Sequence, residues 1–132
     1  MTITLNALYR RSVANTGLTV PQSFVLSSIP DEGVDMSTLA LRLGIDNSTA
    51  TRLVSTLEKS DYVERRRDNS DARIVHVFLT HIGEEAVELL EVAEERLGRI
   101  VLNNIPVEKQ EKTKEVLEEF LWNLSREQMN KG

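Results

Sequence analysis

Leu39-Ala40-Leu41-Arg42-Leu43-Gly44-Ile45-Asp46-Asn47-Ser48-Thr49-Ala50-Thr51-Arg52-Leu53 is the stretch whose reading decides the fold. Leu39, Ala40, Leu43, Ile45, Ala50 and Leu53 recur at the spacing that packs one helix across another, with small residues where the backbones approach and Gly44 at the turn. The pattern is that of a helix-turn-helix. Asp35 is a candidate N-cap for a helix over 36–43, and Asp46 for a second helix from 47 to about 60. On the second helix Ala50, Leu53, Val54 and Leu57 form the buried stripe, so Ser48, Thr49, Thr51, Arg52, Ser55 and Lys59 face outward.

Immediately downstream, Glu64-Arg65-Arg66-Arg67-Asp68-Asn69-Ser70-Asp71-Ala72-Arg73 is a charged loop held between Tyr62-Val63 and Ile74-Val75-His76-Val77-Phe78-Leu79. Val75, Val77 and Leu79 alternate onto one strand face, so the segment reads as a β-hairpin with a basic tip. Upstream, Ile3, Leu5, Leu8, Tyr9 and Val13 give a loosely helical stripe that Gly17 ends. Thr19 and Gln22 make a capping box around Pro21 for a helix reaching about Ile29, which Pro30-Asp31-Glu32-Gly33 breaks. Thr80 caps a long helix whose stripe is Ile82, Ala86, Leu89, Ala93, Leu97, Ile100 and Asn104, roughly 36 Å at about 1.5 Å per residue. Pro106 interrupts it. A last helix carries Val116, Leu117, Phe120, Leu121 and Leu124, with Trp122 alongside. The expected fold is mainly α with a small β-hairpin wing.

A chain of 132 residues fits one domain, or one that completes its core by pairing with a copy of itself. No apolar run approaches the ~20 residues of a membrane span, and residues 1–6 lack a basic region leading into an apolar core. The expected location is therefore the cytoplasm, without membrane contact. The absence of cysteine excludes disulfides, thiolate metal sites and cysteine-oxidation sensing. The net charge of −5 is unevenly spread: residues 1–41 sum to −1, 42–73 to +1 and 74–132 to −5. Arg65, Arg66, Arg67 and Arg73 thus form a basic tip on an acidic body, an arrangement compatible with DNA binding.

Taken in order, Leu18-Thr19-Val20-Pro21-Gln22, Leu39-Ala40-Leu41-Arg42-Leu43-Gly44, Ser48-Thr49-Ala50-Thr51-Arg52-Leu53-Val54, Asp71-Ala72-Arg73 and Leu79-Thr80-His81-Ile82-Gly83 resemble the successive signatures of the multiple antibiotic resistance regulator (MarR) family. The resemblance is specific over 18–83. It implies a winged helix-turn-helix lobe over 18–83, with 1–17 and 84–132 as dimerisation helices in a single-domain chain, 1–132. It further implies a homodimeric transcription regulator, usually a repressor, whose DNA affinity often falls when a small phenolic or other aromatic ligand binds. Two departures stand out. Ala72 replaces the first of two arginines common after the wing aspartate, which removes one expected backbone contact. The segment before Leu18 is also short, which shrinks the expected dimer interface.

The second helix, 47–60, is the element expected in the major groove of double-stranded DNA, whose base edges distinguish all four pairs. Arg52 can pair bidentately with a guanine, while Thr49, Thr51 and Ser55 can meet phosphates, base edges or a thymine methyl. The family pattern sends Arg73 into the minor groove, oriented by Asp71 through a charge-assisted hydrogen bond. Arg65, Arg66 and Arg67 then supply backbone contacts. Plainer readings stand beside these: a solvated arginine loop, Arg52 paired with neighbours on the Glu58 side or with water, and an exposed Asp71–Arg73 ion pair worth about 0–1 kcal/mol.

The long helix exceeds what a small lobe can cover. Leu5, Leu8, Leu97, Ile100, Val116, Leu117, Phe120, Leu121 and Leu124 are the expected dimerisation residues, and the alternative is three-helix packing in a monomer. A two-fold dimer implies a roughly palindromic operator. Tyr9, Phe24, Phe78 and Trp122 can line a ligand cavity or fill the core. His76 and His81 lack converging partners and read as surface residues, not metal ligands. Glu84, Glu85, Glu88, Glu91, Glu94 and Glu95 read as the wet face of a helix. With no nucleophile elbow, phosphate loop or metal-ligand spacing, neither enzymatic activity nor a cofactor is expected. A competing reading is a winged-helix protein-interaction module that does not read DNA.

Overall fold

The computed structural model describes the backbone of residues 2–130 and the side chains of 7–117, 119, 120, 123 and 127. The elements run α1 (Thr2–Ala14), α2 (Val20–Ser27), β1 (Val34–Asp35), α3 (Met36–Leu43), α4 (Asn47–Lys59), β2 (Val63–Arg67), β3 (Val75–Leu79), α5 (His81–Asn103) and α6 (Val107–Asn130). The chain divides into two compact units, one ending at Glu94 and the other beginning at Glu95.

In the first unit the predicted caps form. Thr19 and Gln22 close the capping box of α2, and the Asp35 and Asp46 carboxylates accept the N–H groups of Thr38 at 2.9 Å and Thr49 at 2.7 Å. α3 ends at Gly44, whose φ of 67° is the left-handed geometry that lets the chain turn directly into α4. Leu26, Leu39, Val54, Leu57, Val63, Val77 and Leu90 are fully buried, so α2, α3, α4, the sheet and the start of α5 share one core.

The hairpin gains a third strand. Val34 pairs with Val77 and Asp35 with His76, giving an antiparallel sheet of order β1-β3-β2. Of the expected α5 stripe, Ala86 enters the core, while Ile82 and Leu89 do not. Gly83, Ala86 and Leu90 are buried, whereas Ile82 is 44% and Leu89 58% exposed. The cause is a backbone contact: a Cβ on Gly83 would overlap the Tyr62 carbonyl oxygen and lie 3.1 Å from its carbon, so only glycine lets α5 approach the base of the wing. That approach fixes which face of α5 turns inward.

The second unit joins the end of α5 to α6. The Gln110 side-chain amide donates to the Leu102 and Ile105 carbonyls, each at 3.0 Å, and ties the turn at Pro106. No described residue of this unit is buried, and Ile100, Val101, Val107, Val116, Leu117 and Phe120 stand exposed. Leu97 is half-buried here, as is Leu8 in the first unit. Ile3, Leu5, Leu121, Trp122 and Leu124 lie outside the described side chains. Among the described residues no helix is long and apolar enough to cross a membrane.

Gly83→Ala should cost about 1–3 kcal/mol in urea denaturation, because rigid backbone opposes the new methyl. Gly98→Ala in the same helix, with nothing within 4 Å, should be neutral or stabilising. Hydrogen bonds from Thr38 and Thr49 hold the Asp35 and Asp46 carboxyls below the usual carboxylate range, chiefly from the Thr38 hydroxyl in the first case and the Thr49 N–H in the second. A lowered folded-state value means stability present at neutral pH and lost as pH falls below about 4. Asparagine also caps but does not titrate, so the Asp35→Asn, Asp46→Asn double variant should show a shallower acid limb in thermal melts against pH.

Candidate nucleic-acid interface

α4 presents its polar face as expected, and the hydroxyls on it are not equivalent. Ala50, Val54 and Leu57 are buried, Leu53 half-buried, and Ser48, Thr51, Arg52 and Lys59 exposed. Thr49 and Ser55 are half-buried. The Thr49 hydroxyl donates to Asp46 at 3.0 Å and the Thr51 hydroxyl to the Asn47 carbonyl at 2.7 Å. A hydroxyl has one hydrogen, so both threonines offer a ligand an oxygen acceptor and a methyl, not a donor. Among the described residues nothing holds the side chains of Ser48, Arg52, Ser55 or Lys59, and these remain the donors of the face.

The wing tip is built on Asp68. Its carboxylate accepts the Ser70 N–H at 2.8 Å, the Ser70 hydroxyl and the Asp71 N–H at 3.1 Å, and it lies 3.1 Å from His76 Nε2. These bonds, the Ser70 hydroxyl foremost, hold the Asp68 carboxyl far below the usual carboxylate range. Asp71, oriented by that network, accepts the Arg73 N–H, Nε and Nη2, each at 3.0 Å. The Arg73 side chain is nonetheless 90% exposed, a cation held out on a fixed base. The expected Asp71–Arg73 arrangement is therefore present as a three-bond contact.

The arginine triplet separates by strand alternation. Arg65 stands opposite Val77 and Arg67 opposite Val75, on the core-facing side of the sheet, while Arg66 stands opposite His76 on the other side. Arg65 binds Glu58 of α4 through Nη2 at 2.6 Å. Arg66 pairs with Glu64 and lies 4.4 Å from the Phe78 ring centroid, a cation–π geometry. Arg67 donates from Nη1 to the Ala72 carbonyl at 3.0 Å, clamping the loop. Glu58 pairs with Arg65, and Arg52, six residues before Glu58 and on another face of α4, forms no ion pair with it.

A cleft of about 670 Å³ opens between the start of α3, the start of α4 and the wing. Asn47 and Thr51 line it from α4, and Arg65, Arg66, Arg67 and Arg73 from the wing. Outward helix residues and basic wing residues thus face one concave, positively charged space. Sequence reasoning missed Asn47, since nothing in a cap-adjacent asparagine marks it as lining a site. Phe78 beneath Arg66 was legible in the hairpin register, as a diagonal neighbour across the two strands.

The histidines correct the sequence reading, which gave them no partners. His76 is half-buried against Asp68 and faces Asp35 across β1, and His81 is exposed beside Glu84 and Glu85, at 3.8 and 3.4 Å. Among the described residues no group of three or more His, Cys, Asp or Glu is placed to hold a metal ion. Tyr9 and Phe24 stack with ring centroids 5.2 Å apart, and the Tyr9 hydroxyl lies 3.3 Å from the buried Ser23 and donates to Glu94 at 3.2 Å. Burial, opposed by the Ser23 bond, raises the Tyr9 hydroxyl above its ordinary range.

The MarR family model matches residues 18–75. The transcriptional regulator TtmR of Methylorubrum extorquens is 41% identical over 76 residues, which are 57% of this chain and 39% of TtmR. SarZ of Staphylococcus epidermidis, also a transcriptional regulator, is 32% identical over 105 residues, 79% of this chain and 68% of SarZ. The chain thus spans about two fifths of the one and two thirds of the other, and both are named for regulation of transcription, not catalysis. Among solved structures, MarR superposes with a TM-score of 0.83 at 22% identity, covering 98% of this chain and 88% of that one. A point mutant of Staphylococcus aureus MepR, bound to an oligodeoxyribonucleotide, superposes at 0.67 with 20% identity over 93% of this chain and 91% of that one. The helix-turn-helix, the three-stranded wing and the extended match to SarZ lead to one conclusion: this chain belongs to the MarR family.

Proposed function

We propose that the protein is a homodimeric transcription regulator that binds a roughly palindromic DNA duplex and represses neighbouring genes. The observation that carries this reading is the cleft lined both by Asn47 and Thr51 of α4 and by Arg65, Arg66, Arg67 and Arg73 of the wing. α4 enters the major groove: Arg52 pairs with a guanine, Ser48, Ser55 and Lys59 donate to base edges or phosphates, and Thr49 and Thr51 offer acceptors and methyls. Arg73 reaches the minor groove from its Asp71 base, while Arg66 and Arg67 meet phosphates. The DNA-bound state of MepR, a protein of the same fold, supports the assignment.

The exposed apolar residues of the second unit, Ile100, Val116, Leu117 and Phe120 among them, support pairing with a second copy. Leu5, Leu8, Leu97, Leu121 and Leu124 are the other residues we assign to dimerisation. Two copies about a two-fold axis present their α4 helices to half-sites about one helical turn apart. A small aromatic ligand that binds the two spacings of the lobes unequally would then release the DNA.

Duplexes selected from a random pool should contain an inverted repeat. On them Arg52→Ala should cost about 1–3 kcal/mol of discrimination against the mismatched site. Arg66→Ala or Arg67→Ala should weaken all sequences alike and reduce the salt slope by about one unit. Unchanged affinity in both Arg52→Ala and Arg73→Ala, or no selected duplex at all, would leave the protein-interaction reading in place. Sedimentation at micromolar concentration should show a species of twice the chain mass of 14.9 kDa, and a pure monomer sinks the dimer.

A further inference from the structure

We infer that Glu58 and Arg65 form a positioning pair that sets the angle of the wing to the recognition helix, and that Arg65 is not a phosphate contact. The inference rests on the DNA-binding reading above. Three observations carry it. First, Arg65 stands directly opposite Val77, which is fully buried, so its side chain leaves the strand on the core-facing side of the sheet. Exposed as it is, the cation is held there by a protein acceptor. Glu58, in the last turns of α4, supplies one: Oε2 accepts Nε at 3.0 Å and Nη2 at 2.6 Å, with the two side chains 33% and 35% exposed. Two nitrogens on one edge of the guanidinium converge on a single oxygen, which fixes direction as well as distance.

Second, the same carboxylate holds the backbone. Thr80 N–H donates to the Tyr62 carbonyl and Asp68 N–H to the Ile74 carbonyl, so the ladder bonds between β2 and β3 fall on the even-numbered residues of β2. The Arg65 N–H therefore points off the outer edge of the sheet, since β2 is an edge strand. Glu58 Oε1 accepts it at 3.2 Å. One side chain of α4 thus caps the free edge of the wing and grips its arginine, three bonds between the two elements that DNA has to meet together.

Third, the other basic residues of the wing are anchored within it: Arg66 on Glu64 and Phe78, Arg67 on Ala72, and Arg73 on Asp71. Of these four arginines, only Arg65 is anchored on α4. The bond to Arg65 also holds the Glu58 carboxyl below the usual carboxylate range, so the pair stays charged at neutral pH.

The test uses the full chain, a selected operator duplex, and the variants Glu58→Ala, Arg65→Ala, Arg65→Lys and the Glu58→Ala, Arg65→Ala double. Affinity should fall by about tenfold in each single variant and no further in the double, with the salt slope unchanged in all. Arg65→Lys separates the roles: lysine keeps the charge a phosphate needs but loses the fork that Glu58 grips, so it should bind as weakly as Arg65→Ala. Hydrogen exchange without DNA should show the Arg65 amide protected in the wild type and exposed in Glu58→Ala, at an unchanged melting temperature. A salt slope reduced by about one unit in Arg65→Ala, together with wild-type binding by Arg65→Lys, would overturn the inference in favour of a phosphate contact. Wild-type behaviour of all four variants overturns it alone. A wild-type chain that binds no duplex overturns the DNA reading, and this inference with it.

Discussion

The junction where α4 ends, the wing closes and α5 begins is held around one carbonyl. The Tyr62 oxygen accepts the Thr80 N–H at 3.1 Å, and the Cα of Gly83 lies against the same group. Around it, the Tyr62 N–H donates to the Leu57 carbonyl, the Thr80 hydroxyl to the Asp61 carbonyl, and the Gly83 N–H to the Thr80 hydroxyl. Three elements meet within these few residues. The contact leaves no room for a side chain, so it sets both the rotation of α5 and the base from which the hairpin projects.

Above that base, the wing is organised by carboxylates more than by its arginines. Glu58, Glu64, Asp68 and Asp71 each accept from a specific partner, so the basic residues are held in fixed directions. An exposed pair of this kind contributes little to stability in isolation. Its effect is orientational, since each guanidinium loses much of its rotamer freedom before any ligand arrives. The even spread of positive charge suggested by a run of three arginines becomes three separate attachments, on α4, on an aromatic ring and on a loop carbonyl.

Much of the lobe was legible in the sequence because its signals are local. Asp35, Thr19 and Asp46 cap helices through groups three residues away, and the α4 stripe follows from a period of 3.6. What escaped is what depends on contact between elements. β1 has two residues and so carries no periodicity. Which residues of α5 meet the core was not legible, because Ile82 and Leu89 fit a helical period as well as Gly83 and Leu90 do, and the close approach of Gly83 to the Tyr62 carbonyl distinguishes them. Glu58 meets Arg65 across the end of a helix, where neither a helical nor a strand period reaches. The family resemblance over 18–83 carried the identification, and the matched family model covers 18–75. The arrangement of the wing's partners came from the structure alone.

The hydroxyl bonds of Thr49 and Thr51 bear on how copies of this gene can diverge. Thr49 is tied to the cap of α4 through its N–H and hydroxyl, so replacing it alters the helix start as well as the surface, whereas the Thr51 hydroxyl only bonds back to the Asn47 carbonyl. Ser48, Arg52, Ser55 and Lys59 carry no such duty. Under a DNA-reading role for α4, a duplicated gene is therefore free to acquire a new operator through these four positions while the scaffold stays intact. Selection for a different target would be recorded there first, and the cap-bound Thr49 would change last.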